Sequence, residues 1–188
     1  MRGVGFLAVA LLAPHSLVLQ ASPSFQRLGP YRINVQPTYA GALAKLGPSS
    51  SCRLFRRDPS WARAKWNDIG VAIELRTYGL LPPKQTGCTA PDKIFVSTVR
   101  VTARTWRTAF GLRVGDREAR LRQLYAGAIR TAGLRSWYGG GYWLVTRRSH
   151  CITGVCTPGR LHTSAVLTAE VYGGRVSAFV FVIGAEGE

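Results

Sequence analysis

The strongest constraint on how this chain can fold is a pattern that its second half repeats from its first. Gly111 to Tyr125 reads as a short strand, a tight turn and a helix. Asp116 is placed to cap that helix by accepting free first-turn amides, and Glu118 adds negative charge where the helix dipole favours it. Leu121, Leu124, Tyr125 and Ala128 follow the spacing of a buried helical face, which leaves Arg117, Arg120 and Arg122 on the outer faces. In the first half, Tyr31 to Pro48 is the counterpart. Thr38 aligns with Asp116, and the same offset sets Leu43 on Leu121 and Leu46 on Leu124. Thr38 is again a predicted cap, Tyr39, Leu43 and Leu46 form the apolar stripe, and Gly47-Pro48 stops the helix.

A loop with aromatics follows each helix, and β-rich segments follow the loop. In the first half these are residues 69–78 and 94–101, separated by the turn-rich stretch from Leu81 to Cys88. In the second they are 141–146, 165–172 and 175–183, with Gly173-Gly174 as a two-residue hairpin signal. The expected fold is therefore α+β: two tandem repeats, each a helix packed on a small antiparallel sheet. Residues 22–104 would form the first and 105–188 the second.

Ahead of them, Met1-Arg2-Gly3 and an apolar run from Val4 to Ala13, broken by Pro14, read as a signal peptide over residues 1–21. Ten apolar residues in a helix reach about 15 Å, half the thickness of a bilayer core, which suits a cleaved leader rather than an anchor. Leu19-Gln20-Ala21 offers a cleavage site. The expected location is secreted or associated with the cell envelope, with no transmembrane anchor after cleavage.

Cys52, Cys88, Cys151 and Cys156 all follow this leader. An even number outside the cytoplasm favours disulfides, and pairing within each half gives Cys52 with Cys88 and Cys151 with Cys156. Cys151, Cys156 and the adjacent His150 could be drawn as a metal cluster, but the second tight pair usual in zinc sites is missing. Neither a metal nor another cofactor is expected.

With 25 Lys and Arg against 9 Asp and Glu, the 188-residue chain carries a formal charge of +16. Arginine dominates, since Lys45, Lys65, Lys84 and Lys93 are the lysines. Such a charge attracts wall teichoic acids, anionic lipid headgroups or extracellular DNA through salt-sensitive contacts, without specificity for a nucleic-acid sequence.

Signals for catalysis are weak. Ser149-His150 and Thr163-Ser164 near His162 supply nucleophiles and bases, but neighbours on a strand face opposite ways and no Gly-x-Ser-x-Gly elbow exists. Asp58, Asp68, Glu74, Asp92, Asp116, Glu118 and Glu170 show no paired spacing of a glycosidase. Gly139-Gly140-Gly141 lacks the Lys-Ser or Lys-Thr of a phosphate loop and reads as a flexible turn. Around it stand Trp137, Tyr138, Tyr142 and Trp143, bracketed by Arg135, Arg147 and Arg148. Either these aromatics form an exposed binding platform, or alternate members pack under the sheet.

The short strand, Gly-Asp or Pro-Thr cap, helix, and closing Gly173-Gly174-Arg175-Val176 with Ala178-Phe179-Val180 resemble the repeat of the β-lactamase inhibitor proteins. They are also similar to the repeat of small outer-membrane assembly lipoproteins of the SmpA and OmlA type. Trp106 to Asp116, followed by Leu121 and Tyr125, looks like a segment of secreted proteins from high-GC Gram-positive bacteria. The resemblance spans roughly residues 28–184 and implies a protein-contact surface rather than catalysis; Pro37-Thr38 and the greater positive charge depart from it. The expected function is thus an exported, non-enzymatic binding protein that engages another envelope or extracellular protein. The alternative is a cationic binder of wall or other extracellular polyanions, and a hydrolase of envelope polymers stands third.

Overall fold

The computed structural model describes residues 18–21, 26–28, 31–32, 37–55, 58–77, 79, 81–131, 141–150 and 161–183. A small sheet is formed by β1 (Val18–Ala21), β2 (Gln26–Leu28), β3 (Tyr31–Arg32) and β8 (Arg107–Thr108), in the order β3-β2-β1-β8. β1 falls inside the segment expected to be the leader; it pairs antiparallel with β2 and parallel with β8.

The main body is one eight-stranded antiparallel sheet. Its strands are β4 (Ser51–Phe55), β5 (Asp58–Trp66), β6 (Val71–Arg76), β7 (Phe95–Val101), β9 (Ile129–Thr131), β10 (Gly141–His150), β11 (Leu161–Tyr172) and β12 (Arg175–Val182). Their order is β4-β5-β6-β7-β12-β11-β10-β9. Among the described residues two short helices accompany it, α1 (Tyr39–Leu46) and α2 (Glu118–Leu124). This overturns the expectation of two repeats, each with its own small sheet. β7 pairs with β12 from Val101↔Phe179 to Thr98↔Val182, so strands from both halves share one sheet. The physical reason lies in those strands: Val96, Thr98, Val99 and Val101 on β7, and Ala178, Phe179, Val180 and Phe181 on β12, are buried on both faces. A strand apolar on both sides is poorly suited to a sheet edge, and pairing the two satisfies their ladder groups.

The registers define the faces. Cys52, Ala64, Ile73, Val99, Phe181, Leu167 and Val145 stand opposite one another in a single row from β4 to β10. Directly opposed residues share a face, so this row marks the core side. Both helices pack there. Tyr39 of α1 meets Trp66 edge to face, with ring centroids 6.4 Å apart. On α2, Leu121 is fully buried and Glu118 accepts the hydroxyl of Tyr142.

Thr38 caps α1 as expected, its hydroxyl accepting the Gly41 amide at 3.1 Å, and Gly47 ends the helix with a positive φ of 78°. The aligned Asp116 does not cap α2. That helix starts one position later, with Arg117 as its boundary residue and no side-chain cap. The Asp116 carboxylate instead turns back to accept the Arg113 amide at 2.8 Å, closing the preceding turn.

The expected Cys52–Cys88 bond is present, with Cα atoms 5.7 Å apart, and it fastens edge strand β4 to the loop before β7. Cys151 and Cys156 lie outside the described residues. No helix among the described residues is long and apolar enough to cross a membrane.

Candidate functional site

The binding surface anticipated between Arg135 and Arg148 is only partly described. Arg135, Trp137 and Tyr138 lie outside the described residues, as do the side chains of Arg147 and Arg148, whose backbones belong to β10. Tyr142 and Trp143 face opposite ways. Tyr142 stands opposite Ala169, which pairs with Phe179, and is 5 % exposed on the core side. Its phenol is held above its ordinary pKa, first because its hydroxyl donates to the Glu118 carboxylate and then by burial. Trp143 belongs to the other face and is half-buried. Gly141 is a strand residue: a Cβ there would come within 2.2 Å of the Ala169 carbonyl oxygen, so close backbone approach is what requires glycine.

The row through Trp143 crosses the whole sheet: Ser51, Lys65, Ala72, Arg100, Val180, Thr168, Trp143 and Ile129. This is the face turned away from both helices. At its centre the Arg100 guanidinium reaches across β12 to Glu170, at 3.0 and 2.6 Å, and Ala178 and Val180 on the intervening strand are buried.

Toward β4 the same face is cationic. Trp61, Arg76 and Phe95 form one row and Arg53, Arg63 and Glu74 another. Phe55 packs on Trp61 with centroids 4.1 Å apart, and the Arg76 guanidinium lies 4.3 Å over the Trp61 ring. Arg63 donates to Glu74 at 2.7 Å and sits 5.9 Å from the Phe55 ring centre. Arg53, Lys65 and Arg76 are exposed. The neighbouring acid, Asp58, is engaged locally: hydrogen bonds from the Ser60 hydroxyl and amide hold its carboxyl below the ordinary value. Stacked arginine and tryptophan give a rigid, amphipathic contact area with a positive rim, the composition that concentrates binding energy at interfaces.

The sequence marks Arg53, Arg63 and Lys65 as basic positions but places Trp61 to Trp66 in the aromatic loop after α1, so the strand that brings them beside Trp61 and Arg76 is not legible there. Its signal was the strict alternation of large or charged residues with alanine; Ala62 and Ala64 are fully buried.

His150 and His162 lie on neighbouring strands, where Ser149 pairs with His162 and His150 with Leu161, but their side chains are outside the described residues. Among the described residues no three His, Cys, Asp or Glu side chains come together as a metal site.

Protein-family models, curated proteins and solved structures all return no match to this chain.

Proposed function

We propose that this protein is an exported, non-enzymatic binding protein that holds an acidic patch of another envelope or extracellular protein against the exposed cations at the β4–β6 end of its large sheet. The observation that carries the reading is the Phe55–Trp61–Arg76 stack flanked by exposed Arg53 and Lys65. Glu74 pairs with Arg63 and Asp58 lies within electrostatic reach of Arg76, which leaves exposed Arg53 and Lys65 as the cationic excess. A flat strand surface with side chains at fixed spacing is preorganised, which lowers the entropy lost on association. The apolar leader and the disulfide favour a place of work outside the cytoplasm.

The test is affinity capture from envelope and culture proteins using wild type, Arg53→Ser with Arg76→Ser, and Lys84→Ser with Lys93→Ser. Both double variants lose the same charge. Loss of one discrete protein by at least tenfold from the sheet variant alone is the expected result. Equal retention by both variants, or equal loss, rules the reading out.

A further inference from the structure

Away from the cationic sheet face, the chain places like charges against one another twice around the turn at Gly115. Arg107 stands across from Arg113, and Arg117 across from Arg175, each through an isolated antiparallel bridge. Directly opposed residues project to the same side, and two cations so placed repel unless something anionic lies between them. The two pairs are tied together at Gly115. Its amide donates to the Val176 carbonyl at 2.7 Å, its carbonyl accepts the Arg175 guanidinium at 2.9 Å, and the Arg104 side chain lies alongside it. Arg104, Arg113, Arg117 and Arg175 are exposed and Arg107 is partly so.

Among the described residues the nearby acids form no ion pair with this group. Asp116 is turned toward the Arg113 amide, and Glu118 accepts from Tyr142 and lies 4.0 Å from Arg122 on its own helix. Among the described residues, Arg107, Arg113 and Arg117 make no side-chain hydrogen bond or ion pair. Five arginines thus lie around one turn, and Arg107, Arg113 and Arg117 keep their donors available.

We infer that the arginine cluster around Gly115 is a binding site for a linear phosphodiester polymer. Guanidinium forks approaching from opposite strands suit a phosphate, whose oxygens point in more than one plane, whereas a planar carboxylate fills a single fork. Arg120 and Arg122 on α2 and Arg130 on β9 are exposed as well and supply further positive charge for a chain of phosphates. The contact reads backbone charge, not bases. This site is distinct from the sheet face and stands whether or not that face binds a protein.

The probe is poly(glycerol phosphate) of about 20 repeats, followed by fluorescence anisotropy across a salt series. Arg107→Gln with Arg113→Gln and Arg117→Gln should raise Kd at least tenfold and flatten the log Kd against log salt slope by about 2. The sheet-face triple Arg53→Gln, Lys65→Gln and Arg76→Gln loses equal charge and should shift Kd less than threefold. Equal weakening by both triples overturns the site, as does unchanged binding by the first. If that triple melts early, Arg113→Gln alone should still weaken binding about threefold by removing one phosphate contact. Single-stranded DNA of matched charge should bind comparably and polyglutamate at least tenfold more weakly; binding of DNA alone, or equal binding of polyglutamate, refutes phosphate-backbone recognition.

Discussion

Tyr142 donates its hydroxyl to Glu118, joining the start of β10 to the first turn of α2 across the core side of the sheet. A hydrogen bond to an ionised acceptor is worth about 1.5–3 kcal/mol, so Tyr142→Phe should destabilise the protein by about 2 kcal/mol. The effect has a pH signature. The phenol's folded pKa is raised above its ordinary value of 10.0, so its contribution is fully present below the unfolded value and disappears as pH rises through the folded one. Denaturant unfolding should therefore show wild type and Tyr142→Phe differing at pH 8 and converging well above pH 10. A constant difference across that range would separate the stability effect from this proton.

Thr38 closes the first turn of α1, and Thr38→Ala should cost about 1 kcal/mol while Thr38→Ser costs only a few tenths. An unchanged urea midpoint in the alanine variant would remove the cap from the account of α1.

The Cys52–Cys88 bond closes a separation of 36 residues. In the chain-entropy treatment that loop corresponds to about 4 kcal/mol, so the double serine variant should lose stability of that order. Non-reducing peptide mapping should recover the Cys52 and Cys88 peptides linked; finding them linked to other cysteines would overturn the assignment.

Gly141 has no room for a methyl group. Gly141→Ala should destabilise by at least about 2 kcal/mol, because the atom in its way is a backbone oxygen that cannot swing aside. Gly127, with open space around it, is the matched control, and Gly127→Ala should leave the melting temperature nearly unchanged.

Local patterns made several elements legible in the sequence. β-branched and aromatic alternation marked β6, β7, β11 and β12, Gly173-Gly174 marked their last hairpin, and Thr38 marked the start of α1. What was not legible depended on partners far along the chain. Nothing in Val99 or Phe181 alone says that they stand opposite each other. β5 was hidden because its inward residues include alanines, which carry little hydrophobic signal. Asp116 looked like a cap from spacing, but a carboxylate beside an equally close turn amide can serve either, and here it serves Arg113. For the candidate surface, the strand sends Tyr142 and Trp143 to opposite faces, as packing of alternate members under the sheet requires. Trp61 and Arg76, joined only by register, form the firmer contact.

The pairing of β7 with β12 carries a consequence for biogenesis. Until the last strand has been made, β7 presents a raw edge bearing Val96, Val99 and Val101, and an extended apolar edge is a template for other chains. A chain truncated before Arg175 should therefore self-associate rather than remain a soluble half. Arrival of β12, more than any local helix, is what closes that edge.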